Sequence, residues 1–333
     1  DAYTHIEDAI ASNPMDAIWV ASGTYTPSMI GSTPDSTWFS ITSDVIMYGG
    51  FTGTESFSWE RNPLANPTIL SADLNGDDPP GDLVTNRTDN SIHVLLMDST
   101  ITNACVIDGF IIASGHTMDN PPGGEPDNWN YYRGAGLLSF GAPTIRNCIF
   151  RDHYAYAYCA LTFSGEHASG IIIDSCTFSN NKGQYLGGAV GGIRVSDFLI
   201  TNSQFINNSI GDNVNSSAAG ALFLGDANGS IVNCYFSQNT APFGGAIEVS
   251  MAGEDNFSLL IDQCIFEDNE ATLSGGAIIA AGFNPDYLLE IAITNSVFTN
   301  NQGGNIVTNN GGGGAVEIQN YATATIEESS FSG

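Results

Sequence analysis

A chain of 333 residues with 36 Asp and Glu against 7 Lys and Arg carries a formal charge of −29, and Lys182 is its one lysine. Such a surface repels phosphate backbones and anionic lipid, which need clustered Lys and Arg, so nucleic-acid binding is the function class most strongly excluded. Hydrophobic residues make up 42% of the chain, but no apolar run approaches the roughly 18 residues of a spanning helix.

The opening residues, DAYTHIEDAI, already read as folded sequence, so the numbering is expected to begin inside a longer precursor. Thr4 and Glu7 stand at capping-box spacing, and Ile6, Ala9 and Ile10 share one side. This predicts a short amphipathic helix within residues 1–12, covering the end of whatever follows. From 13 to 144 the chain is strand-rich but irregular: DAIWVASGTY, DVIMYGGFTGTE, PTILSADLNGDD, SIHVLLMDST and ACVIDGFIIASG.

Two segments break this pattern. SADLNGDDPPGD sets Asp73, Asn75, Asp77, Asp78 and Asp82 in one Gly/Pro turn, with hard oxygen donors at the alternate spacing that Ca²⁺ takes. It lacks the distal Glu of an EF-hand loop, so a solvated acidic turn is the competing reading. The insertion 116–134 is rich in Pro and Gly and carries Trp129, Tyr131 and Tyr132, with Tyr154 close by in sequence. Exposed aromatics of this kind bind sugar rings or a protein partner; the alternative is that they pack the loop onto the fold.

From 145 to 333 the chain repeats. Phe-x-x-Asn recurs at Phe178, Phe205, Phe236, Phe266 and Phe298, with a degenerate copy at Phe150 and an interrupted one at Phe331. The spacings from Phe150 are 28, 27, 31, 30, 32 and 33 residues. GGAV, AGAL, GGAI, GGAI and GGAV begin at 187, 219, 244, 275 and 313, and a Cys/Ser column (148, 176, 203, 234, 264, 296, 329) lies two residues before each Phe. Each copy holds two strand signals, an Asn-rich turn and a variable linker, without helical period. About 30 residues bury no core alone, but stacked copies do, at about 4.8 Å per rung. The chain therefore reads as an all-β solenoid, a single-stranded parallel β-helix of roughly ten coils in one domain, 1–333. Phe stacks inside, Cys or Ser fills the column beside it, Asn holds a corner, and Gly-Gly either makes room or takes positive φ. The six cysteines show no CxxC spacing. Stacked side chains point in parallel, which favours buried thiols over Cys148–Cys176 and Cys234–Cys264 disulfides.

On the FxxN and GGA[ILV] motifs, residues 145–333 resemble the polymorphic outer-membrane protein repeats of bacterial surface adhesins. IWVASGTYTP, YGGFTGTE and PTILSADLNGDD resemble the opening of secreted bacterial β-helix proteins of the pectin-lyase-like superfamily. The resemblance implies a right-handed helix and a secreted or cell-surface location in a bacterium, within a larger protein. It says little about function, because this fold hosts lyases, hydrolases, adhesins and spacers.

The residues a polyuronate enzyme needs are missing: no Gly-His-Gly, and a single lysine that precludes Arg-x-Lys. What remains for catalysis is FRDHYAYAY with GEHAS, offering Asp152 and Glu166 as a carboxylate pair and His153 beside them. The competing reading makes them corner residues of a degenerate coil. Five N-x-[ST] sequons, at Asn86, Asn207, Asn215, Asn228 and Asn256, are weak signals in so Asn-rich a chain. The expectation is a non-catalytic extracellular protein, adhesive or structural, that meets a glycan or cell-surface partner and stacks end to end into fibres, with Ca²⁺ as the one candidate cofactor. The rival is a carbohydrate-active enzyme on a neutral polysaccharide, and a passive spacer is the third reading.

Overall fold

In the computed structural model, residues 3–12, 16–28, 33–117, 129–165, 168–211, 219–304 and 314–333 are described. One coil shows how the sequence makes the fold. Ile172–Asp174 and Thr177–Ser179 are separated by Ser175, whose φ of +55° bends the chain sharply. Lys182–Leu186 and Val190–Ile193 follow before the next coil opens at Phe198–Thr201. The expectation of two strands per repeat was too few. The second signal, IIIDSCTF, is two strands divided by a left-handed corner, and part of the linker forms another.

Among the described residues the coils stack into parallel sheets of ten, ten and nine strands and a shorter one of six. Register is continuous from the irregular N-terminal coils to the last: Ile107, Ile145, Ile173, Ile200, Ile231, Ile261, Ile293 and Ile326 pair in sequence along the first sheet. One hydrophobic cluster runs inside the stack from Ile6 to Ala322.

The Phe column forms the ladder the repeat predicts. From Phe150 to Phe331, successive rings lie 4.7 to 5.0 Å apart and within 12° of parallel. That separation is the strand spacing itself, so backbone pairing and ring stacking share one repeat. The thiols and hydroxyls of the Cys/Ser column do one job. Cys264 Sγ donates to the Asp262 carbonyl as Ser296 Oγ does to Thr294, and the Cys264 N–H donates to Ser296 Oγ. All six cysteines are buried and free.

The two glycines of Gly-Gly-Ala divide the roles the sequence left open. The first of each pair, Gly187, Gly244 and Gly275, has φ of +55°, +54° and +66°. The second makes room: a Cβ on Gly245 would collide with the Gly276 carbonyl, and one on Gly276 with that of Gly314.

At the N-terminus the helix spans Ile6–Ala11 and buries Ile6, Ala9 and Ile10 against the first strands. The capping box is not formed. His5, not Thr4, is the N-cap and makes no side-chain cap bond, while Glu7 Oε1 instead accepts the Ser28 N–H at 2.7 Å. The tie to the segment that follows Gly23–Tyr25 replaces the local one.

Candidate functional site

Of the Phe-x-x-Asn copies, Asn181, Asn208, Asn239 and Asn269 are buried and Asn301 is part-buried, and their amides bond from coil to coil. Asn239 shows the pattern: Nδ2 donates to the Phe205 carbonyl one coil back at 2.9 Å and to Asn269 Oδ1 one coil ahead at 2.9 Å. Its Oδ1 accepts the backbone N–H and Nδ2 of Asn208, at 3.1 and 3.0 Å. The residue before it turns the corner: Asp152, Asn180, Asn207, Gln238, Asp268 and Asn300 all have φ between +54° and +59°. Short polar side chains tolerate that region best.

His153 occupies the Asn position of the degenerate copy, and its ring performs the amide's part. Nε2 lies 2.9 Å from the Ile112 carbonyl, the position matching Phe one coil back, and Nδ1 accepts the Gly115 N–H at 3.0 Å. The backbone donor at Nδ1 places the proton on Nε2. Next in the ladder, the His153 N–H donates to Asn181 Oδ1 at 3.3 Å. Burial pushes the imidazole down to about 3, so it is neutral at pH 7. A general base needs a nitrogen open to substrate, and both nitrogens here are taken.

Asp152 is nearly buried at the corner. Oδ2 pairs with Arg151 at 2.6 Å and Oδ1 accepts from Asn180 Nδ2 at 2.6 Å. Its intended partner Glu166 lies outside the described residues, as does His167.

The acidic turn packs beside this corner through Arg87, a residue the sequence reading passed over. Its buried guanidinium pairs with Asp78 Oδ2 at 2.9 Å and donates to the Asp152 carbonyl at 3.3 Å and to the Asp82 carbonyl from Nε at 3.2 Å. Only a guanidinium offers enough directed donors to bind three such groups at once. Asp73, Asp77 and Asp78 are brought together, one oxygen of each lying within 4.8 Å of the others. Asp73 is oriented by the N–H groups of Gly76, Asp77 and Asp78, at 2.7 to 3.1 Å. Asp82 stands outside this group. The Asn75 N–H turns to Asp89, and the Asp82 carboxylate accepts the N–H groups of Val84 and Thr85, which with the Thr85 hydroxyl hold it down to about 2. Burial raises the Asp78 carboxyl, against the pull of Asn90 and Arg87.

The aromatics of the insertion divide. Tyr132 is buried edge-on against Tyr156, which stacks on Tyr185 at 5.3 Å. Tyr154 is half-buried and stacks on His116 at 4.9 Å, while Tyr131 is 39% exposed. The backbone of Trp129 joins Tyr131 in a short 3-10 turn, and residues 118–128 lie outside the described set.

The most exposed aromatic among the described residues was not anticipated. After Ile46–Phe51 the chain leaves the coil, and Phe57 and Trp59 stack at 4.4 Å with Trp59 76% exposed and Leu64 90% exposed. Arg61 anchors this loop, paired with Asp108 at 2.7 Å and lying over the Tyr48 ring. A groove of about 560 Å³ runs between the loop and the second sheet, lined also by Asn62, Asn147, Ser175 and Thr177. Phe57, Trp59 and Leu64 stand in SFSWERNPL, a segment the sequence reading passed over.

The family model for the right-handed beta helix region matches residues 133–333. The chain belongs to the right-handed β-helix family. The match covers every Phe-x-x-Asn copy of this β-helix, and the coils before residue 133 continue the same sheets. Neither a search of curated proteins nor one of solved structures found a match.

Proposed function

We propose that this β-helix is a non-catalytic scaffold of the secreted or cell-surface type, with an adhesive role toward neutral glycans. The observation that carries this reading is the use made of Asp152 and His153, the His–carboxylate pair of the degenerate copy. His153 has both ring nitrogens in the ladder, and Asp152 is held by Arg151 and Asn180. The exposed Phe57–Trp59 stack, bordered by Asn62, Asn147 and Thr177, supports adhesion, since sugars pair an apolar ring face with amide and hydroxyl hydrogen bonds. Tyr131 of the insertion is a second candidate contact, and the side chain of Trp129 lies outside the described residues. A charge of −29 favours neutral over anionic glycans.

The test is affinity electrophoresis of the purified chain in gels containing neutral or uronate polysaccharides, with reducing ends assayed on the same polymers. Retardation by a neutral glycan, weakened in Trp59→Ala and without bond cleavage, is the expected result. Turnover abolished by Asp152→Asn or Glu166→Gln would overturn it in favour of an enzyme. Absence of retardation by any polymer would leave the passive spacer.

A further inference from the structure

We propose that the turn 73–78 is a Ca²⁺ site whose protein ligands are the carboxylates of Asp73, Asp77 and Asp78. Gathering three carboxylates so that one oxygen of each lies within 4.8 Å of the others sets like charges against each other. That separation fits donors around one ion at the roughly 2.3–2.6 Å bond length of calcium.

A second observation points to a missing ligand. Asp78 Oδ1 is buried and has no hydrogen-bond partner, in a side chain only 6% exposed. Beside it, Asn90 is 3% exposed and donates Nδ2 to Asp78 Oδ2 at 2.9 Å, and its own Oδ1 is equally unpartnered. Both orphaned atoms are acceptors, and a buried acceptor is costly to leave unsatisfied. A cation satisfies the Asp78 oxygen directly, and a water bound to that cation supplies the donor Asn90 lacks.

Arg87 does not fill this role. It takes Asp78 Oδ2 and leaves Oδ1 without a partner. Three N–H groups already orient the Asp73 carboxylate, whose oxygens each keep a further lone pair for a metal. The donor set is all oxygen and without His or Cys, which selects calcium over zinc or copper. Asp82, part of the spacing that first suggested calcium, is not a ligand in this arrangement.

The test is calorimetric titration of the intact chain with CaCl₂ after EDTA treatment, at physiological ionic strength. One site with a Kd of about 10⁻⁴ M or tighter is expected. Asp77→Asn changes an exposed side chain, so it should weaken Ca²⁺ at least about tenfold while leaving the unfolding midpoint in EDTA unchanged. Asp82→Asn should leave the affinity as it is. No saturable heat, equal displacement by Mg²⁺ at matched concentration, or an affinity indifferent to Asp77→Asn would each overturn the site. Loss in Asp82→Asn comparable to that in Asp77→Asn would overturn the ligand set.

Discussion

Replacing His153 by Asn returns the degenerate rung to the rule of its neighbours, and the consequence is a change in acid stability. In the folded chain burial holds the His153 imidazole near 3, against an ordinary 6.5. Below pH 6.5 the unfolded chain therefore takes up a proton that the folded chain refuses, so stability is full at neutral pH and falls as pH drops toward 3. At pH 5 the unfolded histidine lies 1.5 pH units below its ordinary 6.5, which at about 1.36 kcal/mol per unit is a loss of about 2 kcal/mol. His93, also buried, held near 4 and donating Nδ1–H to the Gly134 carbonyl, adds a similar amount. An asparagine at 153 can offer Nδ2–H to the Ile112 carbonyl and Oδ1 to the Gly115 N–H, the same two bonds without a titrating group. The stability lost between pH 7.5 and pH 5 should then shrink by about half, from roughly 4 to roughly 2 kcal/mol. Urea unfolding of both proteins at the two pH values measures this, and the ¹⁵N shifts of the ring should show a neutral Nε2–H tautomer in the parent chain down to about pH 4. An identical pH dependence in the two proteins, or an imidazolium at pH 6, would refute the ladder role.

Asn239→Leu should cost of order 3–6 kcal/mol in the same unfolding experiment, because it strands the Asn208 N–H, Asn208 Nδ2 and the Phe205 carbonyl, each a buried group. A loss below about 1 kcal/mol would mean that water replaces the amide. The thiols should resist iodoacetamide at pH 8 in the native state and react fully once unfolded, since all six are buried, and burial raises Cys105 to about 11 and pushes Cys159 and Cys176 higher still. Rapid native labelling of any cysteine in the Phe-flanking column would contradict the packing. Cys264→Ser should change stability by less than about 1.5 kcal/mol, as Ser203 and Ser296 already hold equivalent places.

The repeat was legible because a solenoid places the same side chain in the same surroundings on every turn. Phe at 178, 205, 236, 266 and 298 could be read as one interior column, with Asn as its neighbour, from spacing alone. The candidate sites were only partly legible. Asp73, Asp77 and Asp78, which the turn brings together, could be named from their local spacing, but Asp82 shares that spacing and faces other partners. Trp59 was missed because its exposure follows from where the loop after Phe51 leaves the coil, which no local pattern records.

By itself, then, the sequence determined the parallel stacking, the direction of the core residues and the acidity of the surface, all set by short-range periodicity and composition. Tertiary structure alone decided what His153 and Arg87 do. His153 stood between a catalytic candidate and a corner residue until Ile112 and Gly115, about forty residues earlier in the chain, were brought against its two nitrogens. Arg87 joins the acidic turn to Asp152 across 65 residues. Hydrogen bonds between coils depend on register, and register is a property of the whole stack, not of any one repeat.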